Sequence, residues 1–198
     1  MELRELLAQR RMVRSFDGTP VDSAWLTDLC AEALWAPTAG NSAGIRFHTI
    51  GPELIGEYFE VATDEEWRAR SRRFEGLRRC GGVVLVTSCR TEYVGRYGES
   101  DKRHSGLDDE SNWPVPYWHT DAAMATMALL LLLEESRWQA ALWGNFRRED
   151  EILRWARIVD EDLFATVLIG KADGNDVVSS SLTRTVPSRA SRVSPVER

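Results

Sequence analysis

Residues 119–135 read HTDAAMATMALLLLLEE, and the reading of this stretch decides the fold. From Ala122 to Leu133 there are twelve residues without a charge, and Leu129 to Leu133 is an unbroken run of leucine. A helix that is apolar all round belongs in an interior and not on a solvated surface. It is too short for a bilayer, which takes about 20 apolar residues. Asp121 is placed to cap or charge-complement its start, and Glu134 and Glu135 close the apolar run. One chain of 198 residues has limited means to bury a helix on all sides. A partner chain over one face is therefore expected, giving an obligate dimer with this helix near the seam.

The flanking segments alternate helix and strand signals. Leu3, Leu6 and Leu7 have helical spacing, and Arg10, Arg11 and Arg14 follow. These cations are either a solvated helix end, where positive charge suits the dipole, or an anion site. Gly18-Thr19-Pro20 makes a turn, Asp22 or Ser23 caps the next helix, and Leu26, Leu29, Cys30, Ala33 and Leu34 mark its inner face. That helix stops at Pro37. The loop from Ala36 to Ser42 consists of small residues, with Gly40 free to take positive φ. Such a loop lets backbone approach a ligand, and any tight turn looks the same.

Arg46–Ile50, Val83–Thr87, Trp138–Trp143 and Leu163–Ile169 read as strands, the second and fourth strongly apolar. Glu53–Ala62, Glu65–Arg79 and Glu149–Arg157 read as helices; the middle one is highly charged and expected to be exposed, and the last turns Ile152, Leu153 and Ala156 inward. Gly144-Asn145-Phe146 closes the third strand. Residues 91–118 are the least regular, ending in the aromatic cluster Trp113–Trp118; within them 98–111 read equally as a lid and as a disordered insertion. Residues 176–198, rich in Ser and Arg, lack core-forming content. The interleaving gives an α/β or α+β domain over 1–175 with a small central sheet, followed by an arm over 176–198.

Composition narrows the function. Net charge is -6, against a general nucleic-acid binder. The opening MELRELLAQRRMVRSF has no apolar run of signal-peptide length, so a cytoplasmic protein without membrane association is expected. Three cysteines (Cys30, Cys80, Cys89) lack zinc-type spacing and read as buried thiols. His48, His104 and His119 are scattered, and no metal site is expected. There is no GxGxxG after a strand, no Walker loop, no HExxH and no GxSxG. What remains is an arginine cluster, a small-residue loop, eight tryptophans and a helix suited to a dimer. An enzyme whose cofactor carries the chemistry fits that inventory and needs no catalytic base.

Arg10-Arg11-Met12-Val13-Arg14-Ser15-Phe16, then Ala36-Pro37-Thr38-Ala39-Gly40-Asn41, resembles the opening of the nitroreductase family of FMN-dependent oxidoreductases. Asp121–Ala125 is similar to the start of that family's central helix, Trp138–Phe146 to its GLGxxWIGGF segment, and Val167–Gly170 to its last strand. The resemblance implies an α+β three-layer sandwich with a central mixed sheet wrapped by helices. It also implies an intertwined homodimer with FMN at the interface, C-terminal arms over the partner, and NAD(P)H and a small aromatic or quinone-like substrate in a ping-pong cycle. On the matching positions, Arg10, Arg11, Met12 and Arg14 would hold the phosphate and the pyrimidine side of the flavin, with Arg14 the electrostatic tuner. Pro37, Thr38, Ala39 and Asn41 would line the ring from the other subunit. Leu142, Trp143 and Gly144 would present backbone near the ring edge, and Arg184 would add to the phosphate grip. Three departures stand out: Met12 for a serine, Ala43-Gly44-Ile45 for QPW, and Lys171-Ala172 for Tyr-Pro. They leave open a specialised biosynthetic flavoenzyme that uses Trp113–Trp118 to narrow its pocket, a deazaflavin in place of FMN, and a non-catalytic binding relative.

Overall fold

The computed structural model describes residues 2–145 and 147–196. In chain order the elements are α1 (Leu3–Gln9), α2 (Ser23–Ala33), β1 (Ile45–Ile50), α3 (Ile55–Ala62), α4 (Glu65–Arg70), α5 (Phe74–Leu77), β2 (Gly82–Ser88), α6 (Arg90–Tyr97), α7 (Tyr117–Glu135), β3 (Gln139–Trp143), α8 (Glu149–Ala156) and β4 (Asp162–Gly170). The sheet order is β1-β2-β4-β3. All three pairings are antiparallel, and the parallel component of the expected mixed sheet is the single bridge of Met12 to Ala140 on the outer edge of β3.

Strand periodicity sorts the core into two layers. Val84 and Val86 of β2 and Val167 and Ile169 of β4 face α2 and α7, with Leu26, Leu29, Leu129 and Leu133. Val83, Leu85 and Leu168 face the other way, onto Tyr58 and Phe59 of α3, Leu77 of α5 and Ile152 of α8. Every residue of β2 is buried, which is why Val83–Val86 run continuously apolar and do not alternate.

α7 is longer than the leucine run suggested, because Tyr117 and Trp118 supply its first turn. One chain covers one of its faces: Ala122, Ala125, Leu129 and Leu133 are buried at helical spacing. Ala123 is exposed, Met124 is 43% exposed, and Met127 and Leu131 are half-buried, so the opposite face is apolar and open.

Several sequence expectations change. Glu65–Arg79 is not one helix; it breaks at Ser71, whose backbone is extended (φ -78°, ψ 112°). Within residues 91–118, expected to be irregular, the stretch to Tyr97 belongs to the helix Arg90–Tyr97, and Leu34 lies beyond the end of α2 and is exposed. Asp22 does cap α2, accepting from Trp25 N at 2.7 Å. Cys30, Cys80 and Cys89 are buried free thiols, and burial pushes Cys30 and Cys80 up to about 12. Among the described residues no helix is long and apolar enough to cross a membrane.

Candidate functional site

The arginine segment is carried from the end of α1 to the edge of the sheet. Arg11, exposed, folds back on the last carbonyls of α1 and donates to Ala8, Gln9 and Arg10 at 2.6–3.0 Å. The chain then extends: Met12 bridges Ala140, and Val13 N donates to the Ala140 carbonyl at 3.0 Å. This pairing sets Arg14 beside the end of β3. Arg14, Leu142 and Trp143 line one cavity of about 230 Å³, with Trp67, Ser71 and Arg73 opposite. Met12 sits at the strand edge, its Sδ accepting from Leu142 N at 3.3 Å.

Two arginines have unmet hydrogen-bond demand: Arg73 Nε, at this cavity, and Arg10 Nε and Nη1, outside its lining, are buried with no partner among the described residues. The nearest acceptor to Arg14 Nη1 is the Met12 carbonyl at 3.4 Å, and Arg73 Nη2 reaches the Val177 carbonyl at 3.3 Å. Buried guanidinium N–H groups without acceptors are costly, and an anion satisfies several at once. The donor set therefore fits a phosphate-bearing group with a planar polar ring. Arg73 escaped the sequence reading because nothing local separates it from Arg70, Arg72 and Arg78; the break at Ser71 is what turns it inward.

A second cavity, of about 270 Å³, shares Trp67 and Trp143 with the first and is further bounded by Gly144, Arg147 and Arg148. The Trp143 ring stacks at 25° on both Phe59 and Trp67, with centroids 5.7 and 5.6 Å away. Asn145 is fixed from below: Thr166 Oγ1 donates to its Oδ1 at 2.6 Å, and Tyr58 donates to Thr166 at 3.1 Å. Burial holds the Tyr58 phenol well above its usual range. Phe146, the last residue of the expected GGF-like segment, lies outside the described residues.

The small-residue loop is built separately, against α7. Gly40 adopts φ 63°, as expected, inside a turn over Ala39–Asn41. Ala39 N donates to Asp121 Oδ2 at 2.7 Å, and Tyr93 Oη donates to the same oxygen at 3.0 Å. Asp121 is thus no exposed cap; it is 2% exposed and ties the loop to the inside of α7. Burial and the Asp121 charge together raise the Tyr93 phenol. Arg96 Nε donates to the Gly40 carbonyl at 2.9 Å, while its two Nη atoms grip Asp101 at 2.8 Å and hold that carboxyl down at about 2. Pro37 and Asn41 are exposed, and Thr38 and Ala39 half-buried. None of the four lines either arginine cavity, and Arg184 is exposed beyond a short turn at Ser180–Thr183. The structure thus joins Arg14, Leu142 and Trp143 at one cavity, with Gly144 in the next. It leaves the loop at a distance within one chain.

Ala43-Gly44-Ile45 has a steric reason here. A Cβ on Gly44 would lie 2.6 Å from the Tyr93 ring and 2.9 Å from the Cys89 carbonyl, so nothing larger fits. Gly44→Ala is expected to cost about 1–3 kcal/mol, read as a lower denaturant midpoint at unchanged slope. An unchanged midpoint would mean that Tyr93 is free to move.

The aromatic segment turns inward. Trp113 and Trp118 are buried against Tyr93, and Trp113 Nε1 donates to the Leu107 carbonyl at 2.8 Å. They form core and do not narrow either cavity. His48 pairs with Glu161 at 2.8 Å, and among the described residues no cluster could hold a metal ion.

A sequence profile described as the nitroreductase family matches residues 7–171. No curated protein sequence matches the chain. Among solved structures, the nitroreductase CinD from Lactococcus lactis in complex with 4-nitrophenol superimposes with a TM-score of 0.78 at 14% identity, covering 99% of this chain and all of that one. A nitroreductase family protein from Streptococcus pneumoniae gives 0.72 at 15%, covering 99% and 100%. CLA-ER, an enone reductase of gut-bacterial fatty acid biohydrogenation, gives 0.71 at 15%, covering 99% and 98%. At these identities the likeness is one of fold.

Proposed function

The chain belongs to the nitroreductase family, and on that premise we propose that it is an FMN-dependent NAD(P)H oxidoreductase acting as a cytoplasmic homodimer. The observation that carries this reading is the buried, unpartnered donor of Arg73 in the cavity that Arg14 and the end of β3 line, with the unpartnered donors of Arg10 shortly before Arg14 in the chain. When bound, the flavin supplies hydride acceptance from the nicotinamide and donation to a nitroaromatic, quinone or similar small acceptor, in ping-pong order.

The chain's own residues do the holding. Arg10 takes the phosphate, and Arg11 joins it by leaving the α1 carbonyls. Arg14 and Arg73 set positive charge beside the pyrimidine side of the ring, where a fixed cation favours added electron density. Met12 buttresses the backbone of Leu142, and Leu142, Trp143 and Gly144 border the ring edge. Pro37, Thr38, Ala39 and Asn41 complete the enclosure from the second copy, which explains why they stand apart within one chain. Met124, Met127 and Leu131 of α7 form the seam, and the arm from Asp176 onward carries Arg184 across it. CinD, of the same fold, is described with 4-nitrophenol and with chloramphenicol, which supports acceptors of that class.

The test is spectral. Protein loaded with FMN should bleach on anaerobic addition of NADH or NADPH and regain its yellow bands when a quinone is added. Bound FMN that neither nucleotide reduces would remove the oxidoreductase reading.

A further inference from the structure

The flavin reading uses Arg14 and Arg73 at the first cavity and leaves two arginines at the second, which shares Trp67 and Trp143 with it. Arg147 and Arg148 line the second cavity, and neither has a carboxylate within 4.0 Å among the described residues. Arg148 Nε is buried with no hydrogen-bond partner among them. The nearby acids keep their charge while held by backbone amides: Asp64, which also lines the cavity, accepts from Trp67 N at 2.7 Å, and Glu149 accepts from Leu163 N at 3.0 Å. The lining thus sets two guanidinium groups, Arg147 exposed and Arg148 half-buried, against one carboxylate, and the unpartnered Nε of Arg148 marks the place for a ligand anion. Two indole rings, Trp67 and Trp143, form part of the wall, and the volume of about 270 Å³ is below the roughly 300–1,000 Å³ of drug-sized pockets. That is room for one small substituted ring.

We propose that this cavity is an anion subsite for the acceptor: a single-ring aromatic carboxylate seats its charge on Arg148 and Arg147 and its ring against Trp67 and Trp143. The proposal rests on the flavoenzyme reading for the ligand's role as acceptor, but not for its binding. The same positive charge could instead serve the phosphates of the nicotinamide dinucleotide, and the experiment separates the two sources.

Full-length wild type, Arg148→Gln, Arg148→Lys and Arg147→Gln are compared in two assays. Calorimetric titration with 4-nitrobenzoate, without nucleotide, reads binding alone. Steady-state rates of the FMN-loaded protein then compare 4-nitrobenzoate with the neutral 4-nitrobenzyl alcohol. Arg148→Gln should weaken 4-nitrobenzoate binding about tenfold and lower the preference for 4-nitrobenzoate over the alcohol by the same factor, with Arg148→Lys restoring part of both. KM for NADH and for NADPH should stay within twofold of wild type. Equal losses on both acceptors, or no change on either, would overturn the proposal. So would an effect confined to NADH or NADPH, which assigns the charge to the dinucleotide. Should Arg148→Gln not fold, the same criteria apply to Arg147→Gln. Wild type that takes up no flavin, yet binds 4-nitrobenzoate through Arg148, would sink the flavoenzyme reading and leave the subsite standing.

Discussion

Arg10→Ala and Arg14→Ala should each weaken FMN binding by about 10- to 100-fold, since a hydrogen bond to a charged partner contributes about 1.5–3 kcal/mol and 1.4 kcal/mol is a factor of ten. The size of the effect follows from the state of these side chains before any ligand arrives. Arg10 holds two buried nitrogens with no acceptor, so a phosphate there meets donors that are already desolvated and oriented. Arg14 reaches the cavity with only a distant carbonyl at 3.4 Å to give up. Arg11 is different: it must first release three carbonyls of α1, so Arg11→Ala should cost less than either. Arg70→Ala, on the exposed end of α4, is the control and should leave the affinity at the wild-type value. The measurement is quenching of FMN fluorescence on titration, repeated at two salt concentrations. Wild-type affinity in both Arg10→Ala and Arg14→Ala would mean that the cluster is no more than a solvated helix end.

The second large effect is expected at Asp121, and its magnitude separates two roles. An exposed helix cap replaced by alanine costs about 0.5–2 kcal/mol. Asp121 is instead a buried carboxylate that receives Ala39 N and Tyr93 Oη on one oxygen. Removing it strands the buried Tyr93 hydroxyl and the half-buried Ala39 amide at about 1–3 kcal/mol each, so Asp121→Ala should destabilise by about 2–6 kcal/mol. For a chain of this length that lowers Tm by about 4–24 °C. Tyr93→Phe removes one donor and should cost about 1.5–3 kcal/mol. Because Ala39 belongs to the loop assigned to the second copy's flavin, both variants should also weaken FMN binding. A loss of 1 kcal/mol or less in Asp121→Ala would mean that its bonds to Ala39 and Tyr93 contribute little to the fold.

The frame of the molecule was legible because burial leaves a mark on sequence. β2 and β4 are apolar over most of their length since both faces are covered, and the buried face of α7 is apolar because the sheet and α2 take that side. Gly40, Asp22 and the three thiols were read correctly from local chemistry alone. Where reading failed, the information was tertiary. Arg90–Tyr97 contains Gly95, which lowers helix propensity by about 1 kcal/mol, and buries only Tyr93, so it carries no apolar stripe. Arg73 looks like its surface neighbours until Ser71 breaks the helix. Trp113 and Trp118 have the composition of a pocket wall and the environment of a core. Gly44 looked like a missing motif and is a contact with Tyr93.

The central claim is that two copies of this chain together enclose one FMN each. Native mass measurement of the purified chain after incubation with FMN tests it most directly. The account predicts a species of twice the 22.4 kDa chain mass carrying two FMN molecules. A single chain that retains no flavin would contradict it.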